Sequence, residues 1–159
     1  MKKIIFTLLI LFLISCGREK QNKKGFEYKR TQQDEKKNNS ITKSSIKIDF
    51  NNKGIGPIKS FNFNDNIDNK LVEKGSVIFK QKCTACHMPD KKLIGPSMKG
   101  IYERRSPEWV LNMILNPIQM IKEDPIAIDL LKKYNGIIML NQNITEEEAI
   151  ALSEYFRSF

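Results

Sequence analysis

Cys83-Thr84-Ala85-Cys86-His87 decides how this chain is read. Two thiols three residues apart, followed directly by an imidazole, form the attachment signature of c-type haem. Each thiol can add across one vinyl group of the porphyrin, giving two thioether bonds. The histidine after the second cysteine then lies under the iron as proximal ligand. His87 is the only histidine in the 159 residues. The pattern therefore predicts one covalent haem c, held by Cys83 and Cys86, with no second imidazole from the same chain to cap the metal. A thioredoxin-like CxxC pair needs a βαβ context that is absent here. A structural zinc site needs about four ligands, usually with a second Cys/His pair, and the one remaining cysteine, Cys16, is far away.

The N-terminus predicts the compartment. Met1-Lys2-Lys3 is basic, and Ile4 to Ile14 is an apolar run broken only by Thr7. A run that short falls well below the roughly 20 residues of a membrane-spanning helix and reads as an export signal over residues 1–15. Its end, Leu13-Ile14-Ser15-Cys16, resembles the bacterial lipobox, which implies lipidation of Cys16 and membrane attachment through acyl chains. The expected location is the cell envelope, periplasm-facing, and by the same resemblance Gly17 after the cysteine points to the outer membrane of a Gram-negative cell. Bacterial haem attachment also takes place outside the cytoplasmic membrane, so two separate parts of the chain predict one compartment. With one thiol assigned to lipid and two to haem, none is left for a disulfide.

The charge of +9 is unevenly spread. Residues 1–68 hold 14 basic against 7 acidic residues, whereas residues 69–159 hold 13 against 11. Residues 16–45 are rich in Lys, Asn, Gln and Ser without apolar periodicity, and predict a disordered tether. A basic, solvated spacer beside anionic headgroups fits an exported lipoprotein, and nucleic acid is not an expected partner. Residues 46–68 differ. Ile46, Ile48 and Phe50 alternate with Lys47 and Asp49 as a short strand would, Gly54-Ile55-Gly56-Pro57 reads as a turn, and Ile58, Phe61 and Phe63 follow. This segment is expected to be an extended arm packed on the domain that follows.

Residues 69–159 predict a small all-α domain. Leu71 to Cys83 places Leu71, Gly75, Ile78, Phe79 and Lys82 at helical spacing. Ser106-Pro107-Glu108 is a helix start, followed by Val110, Leu111, Ile114 and Leu115 on one side, and Asn116-Pro117 reads as its stop. A helix is expected from Pro125 to Tyr134, ending near Asn135-Gly136. The capping box Thr145-Glu146-Glu147-Glu148 opens a last helix to about Arg157, with Ile150, Leu152, Tyr155 and Phe156 as its apolar side. Helices this short are marginal alone, so the apolar plate of the haem is expected to complete their core.

In this order the elements resemble a class I monohaem cytochrome c over residues 70–159. Gly75 and Phe79 precede the haem pentapeptide, as in that family. Ile94-Gly95-Pro96 is similar to its Gly-Pro turn, whose proline carbonyl accepts the hydrogen bond of the proximal histidine. Met139 before Ile144-Thr145-Glu146-Glu147-Glu148 resembles its ligand loop and terminal helix start. The resemblance implies that Leu152 and Tyr155 cross the first helix against Gly75 and Phe79, that Gly95 and Pro96 belong to the haem pocket, and that the protein carries electrons. Tyr102 and Trp109 are candidates to line that pocket or to donate to a propionate, and Arg104-Arg105 is a candidate to hold one.

The sixth ligand is read from the methionines. Met88 and Met98 lie close in sequence to His87 and to Gly95-Pro96, on the proximal side, and Met113 and Met120 read as core or haem-edge residues. Met139 sits in a loop between a helix stop and a capped helix and is the expected distal ligand, with Met120 next; Leu140 stands where many relatives have proline. With His87 and Met139 both bound, the chemistry is outer-sphere one-electron transfer between transient redox protein partners, by a monomer in a bacterial respiratory chain. If Met139 is labile, the alternative is a haem protein that binds or senses a small ligand. Arg105-Ser106-Pro107-Glu108-Trp109 to Asn116-Pro117, with Asp124-Pro125-Ile126-Ala127, is similar to small cytochromes of anaerobic respiration, including those serving nitrous oxide reduction.

Overall fold

The computed structural model describes residues 48–159; the export signal at 1–15, Cys16, the tether at 16–45 and the first two residues of the arm lie outside the described residues. Among the described residues the secondary structure is five α-helices and one 3-10 turn, with no strand: α1 (Asn69–Lys82), the turn Ile101–Glu103, α2 (Pro107–Leu115), α3 (Pro117–Glu123), α4 (Pro125–Lys133) and α5 (Glu146–Arg157).

Local chemistry sets each start. The Asp68 carboxylate accepts the backbone N–H groups of Lys70 and Leu71 at the head of α1. The Ser106 hydroxyl accepts Trp109 N–H and Pro107 opens α2. Asp124 caps α4 through Ala127 N–H, and Thr145 with Glu148 forms a reciprocal capping box on α5. Helix α3 was not expected. Asn116-Pro117 does stop α2, but Pro117 at once becomes the first residue of a new helix, the same role that Pro107 and Pro125 play at their own starts.

The frame is the crossing of α1 and α5. Gly75 lies against the Ala151 carbonyl and the Tyr155 side chain, so close that a Cβ on residue 75 would stand 2.6 Å from the Ala151 carbonyl carbon and 2.8 Å from Tyr155 Cβ. Phe79 packs beside it on Tyr155 and Phe156, ring centroids 5.6 and 5.7 Å away. Helix α2 lies on α5, and α3 packs between α2 and α4. Main-chain atoms cannot move aside as a flexible side chain can. Gly75→Ala is therefore expected to lower the stability of the haem-loaded protein by about 2–3 kcal/mol, read as a lower denaturant midpoint; an unchanged midpoint would show that the helices separate freely.

The arm corrects one sequence reading. Ile48 and Phe50, the apolar members of the alternation, are exposed, and Asp49 makes only an isolated bridge with Arg105 rather than a strand. The anchoring residues come later. Ile58 is buried, its N–H donates to Asn112 Oδ1 at 3.0 Å, and Asn112 Nδ2 donates to the carbonyls of Ile58 and Lys53, each at 2.9 Å. Lys53 Nζ reaches Glu108 at 2.7 Å. Gly54 has φ of +73°, and its missing side chain leaves room for Met120 Sδ, which accepts Ile55 N–H at 3.0 Å. The end of the arm is clamped by Arg157, which donates to the carbonyls of Asn64 and Asn66 and lies over the Phe63 ring.

Candidate functional site

Helix α1 ends in the pentapeptide. Cys83 is its C-cap, with N–H donating to Phe79 C=O at 2.9 Å. The chain then turns on itself: Cys86 and His87 N–H both donate to Cys83 C=O, at 3.0 and 2.9 Å. Gly95 N–H returns to Cys86 C=O at 2.7 Å, closing a loop that carries His87 back over Gly95-Pro96. Cys83, Cys86 and His87 thereby line one cavity of about 360 Å³.

The cavity is built from the core-facing sides of the helices. Phe79, Trp109, Val110, Ile114, Leu152 and Phe156 contribute to its wall. Met139 enters from the loop between α4 and α5 and lines the same space. His87 Nδ1 lies 2.9 Å from the Pro96 carbonyl. A carbonyl only accepts, so Nδ1 carries the proton and Nε2 keeps the lone pair that can bind a metal. Burial lowers the proton affinity of His87, against a smaller opposing effect of the Pro96 hydrogen bond, which favours the neutral, ligating form. Gly95 completes the cradle: a Cβ there would stand 2.5 Å from Cε1 and 2.8 Å from Nδ1 of the imidazole. Burial pushes the free Cys83 thiol up to about 11, with Lys82 lowering it and Cys86 raising it. Two thiols, an imidazole lone pair and a thioether around one apolar space match the needs of a covalently held, axially ligated haem.

Several expected residues stand elsewhere. Met120 does not line the cavity; it is wholly buried under the arm, with its sulfur engaged by Ile55 N–H. This removes it as the second candidate for the iron. Met98 and Met113 do line the cavity, so Met113 takes that place. Tyr102 is outside the cavity as well: its hydroxyl donates to Ser153 C=O at 3.2 Å and its ring packs on Phe63. Trp109 lines the cavity, but its Nε1–H is given to Asp124 Oδ1 at 3.0 Å and not to a propionate.

Sequence reasoning passed over the polar residues that join arm to helix. Asn112 and Asp124 are each 1% exposed. Asp124 accepts from Trp109 Nε1, Ala127 N and Asn52 Nδ2, the last at 2.6 Å. An uncharged amide inside the apolar run of α2 was the available signal for Asn112, because a buried polar side chain needs partners. The cavity wall also carries four cations, Lys82, Lys92, Arg104 and Arg105, and no acidic residue. Of these Arg105 is buried, with its guanidinium 5.2 Å from the Trp109 ring centroid.

Comparison with known proteins agrees with this geometry. The sequence pattern of the family described as Cytochrome c matches residues 72–159. The structure is similar to cytochrome c from Rhodothermus marinus, with 37% identity and a TM-score of 0.62 over 65% of this chain and 88% of that one. An engineered cytochrome c from Rhodothermus marinus aligns with 36% identity and a TM-score of 0.62, over 65% and 89% of the two chains. The cytochrome c domain of a Pseudomonas putida protein aligns at 28% identity over 53% of this chain and 85% of that domain, with a TM-score of 0.48. No curated protein matches the sequence.

Proposed function

Because this chain belongs to the cytochrome c family and is an electron carrier with one covalent haem c, we propose that it serves as a lipid-tethered shuttle in a bacterial respiratory chain. The observation that carries the reading is the convergence of Cys83, Cys86, His87 and Met139 on one apolar cavity, with His87 Nδ1 held by the Pro96 carbonyl. Cys83 and Cys86 would hold the haem through thioether sulfurs, His87 Nε2 would be the proximal ligand and Met139 Sδ the distal one. When bound, the haem supplies reversible exchange of one electron at iron.

The chain's own residues do the rest. Pro96 fixes the imidazole tautomer and its orientation. The wall of Phe79, Trp109, Leu152 and Phe156 would shield the haem from water. Ile137, Ile138 and Leu140 are exposed beside Met139, an apolar rim suited to brief contact with donor and acceptor proteins rather than to a lasting interface. Acyl chains on Cys16 and the tether at 16–45 would hold the carrier near its membrane partners, on the periplasmic face, at high local concentration. The stretch from Arg105 to Ala127 supports an anaerobic terminal reductase, such as nitrous oxide reductase, as acceptor.

One measurement tests both attachments. The protein purified from the envelope of cells competent for haem maturation is expected to show, by mass spectrometry under denaturing conditions, the added mass of one haem and of acyl chains on an N-terminal Cys16. A haem-free mass overturns the carrier, and a mass with haem but without lipid overturns the tether alone.

A further inference from the structure

Asn52 links the arm to residues that line the haem cavity. Asn52 Nδ2 donates to Asp124 Oδ2 at 2.6 Å. The other oxygen of the same carboxylate accepts the indole N–H of Trp109 at 3.0 Å and the N–H of Ala127 at 2.8 Å, and both Trp109 and Ala127 line the cavity. Asn52 is itself fixed by three further bonds: its N–H donates to Asp49 Oδ1 at 3.2 Å, its Oδ1 accepts Gly54 N–H at 2.7 Å and its carbonyl accepts the Ser106 hydroxyl at 2.7 Å. Ser106 is the cap of α2, so the same arm residue also braces the helix that carries Trp109.

A carboxylate buried this deeply has little water around it to screen its charge. Its cationic neighbour Arg105 also lines the cavity, stacks on Trp109, and feels both Asp124 and the arm's Asp49. The negative charge of Asp124 therefore lies directly behind the wall formed by Trp109, Ala127 and Arg105, and its strength in the cavity depends on how fully its lone pairs are used by donors. A negative charge near the iron favours the ferric state, and a donor that spreads that charge opposes the effect.

We propose that Asn52 is a positioning residue for electron transfer: by holding Asp124 behind Trp109, docking of the arm sets the reduction potential of the haem. The inference rests on the haem reading above. The charge is adjusted from a segment that lies outside the matched family pattern, which begins at residue 72.

The test is equilibrium redox titration of the haem-loaded full chain at one pH, against mediators of fixed potential, for wild type, Asn52→Ala, Asn52→Ser and Asp124→Asn. Removing the carboxylate charge in Asp124→Asn is expected to favour the ferrous state, changing the exchange equilibrium roughly tenfold. Asn52→Ala is expected to move it the opposite way by a smaller factor, and Asn52→Ser, which keeps a donor at the position, to lie between that variant and wild type. All are expected to keep the haem spectrum of wild type, which separates a change of electrostatics from a change of axial ligand. Midpoints of Asn52→Ala and Asp124→Asn equal to that of wild type overturn the proposal, as does a shift accompanied by altered ligation. Should Asp124→Asn fail to fold, the Asn52→Ala and Asn52→Ser pair decides by itself. A wild-type protein without haem defeats the haem reading instead, and is distinguished by its spectrum before any titration begins.

Discussion

Cys83→Ser/Cys86→Ser, purified free of haem, is expected to lose cooperative folding. The reason lies in which side chains face the cavity. Phe79, Trp109, Val110, Ile114, Leu152 and Phe156 are core residues by burial and also wall residues of the 360 Å³ space. With nothing bound, each has partners on one side only. At about 24 cal/mol per Å³, an empty space of that size would cost roughly 9 kcal/mol, an upper bound because part of it opens to solvent. That is comparable with the whole stability of a typical domain, about 5–15 kcal/mol. The helices have no reserve of their own, since they run from 7 to 14 residues and isolated helices of that length are marginal. The expected result is a broad, non-cooperative thermal transition by circular dichroism, beside a sharp one for the haem-loaded protein. A sharp transition of the double variant near the wild-type temperature would show that the arm and the α1–α5 crossing suffice to hold the fold.

The part of this architecture that could be read from sequence is the part fixed by local chemistry. Ser106-Pro107, Asp124-Pro125 and Thr145 with Glu148 mark helix starts because an oxygen must satisfy orphan N–H groups there. Spacing alone brings Cys83, Cys86 and His87 together, since one turn of chain orients all three. Helix α3 was missed because Asn116-Pro117 has two meanings, stop and start, and only the packing of Met120 and Ile121 beyond it decides between them. Over its described part, Ile48 to Phe50, the alternation misled because period-two patterning buries a face only where a second strand or a surface covers it; Asp49 pairs only in an isolated bridge with Arg105, and Ile48 and Phe50 stay exposed. Met120 was invisible for a longer-range reason. Its fate depends on Ile55 N–H, 65 residues away in the chain, and no local pattern reports that contact.

Met139→Ala tests the iron site most directly, and its expected effect is large. Among the methionines that line the cavity, Met98 follows the Gly95-Pro96 turn that holds His87, and Met113 is fixed on α2 among Trp109, Val110 and Ile114. Met139 lies in the segment between α4 and α5, tied before it by Ile137 N–H to Tyr134 C=O and after it by Asn143 N–H to the Asn141 side chain. Leu140 beside it is 65% exposed, so apolar burial does not anchor the loop. A thioether stabilises ferrous iron and raises the potential, so its removal is expected to lower the midpoint by on the order of 0.1 V or more. It should also abolish the weak ferric band of methionine-bound iron and open a position for carbon monoxide. Met120→Leu is the matched control: its sulfur serves the arm, so the spectra should stay those of wild type while thermal stability falls. Spectra of Met139→Ala identical to wild type would transfer the ligand to Met113. Rapid carbon monoxide binding by the unaltered protein would instead mean that Met139 leaves the iron readily. Such a loop would then serve ligand binding or sensing, because a carrier needs the same ligand in both oxidation states.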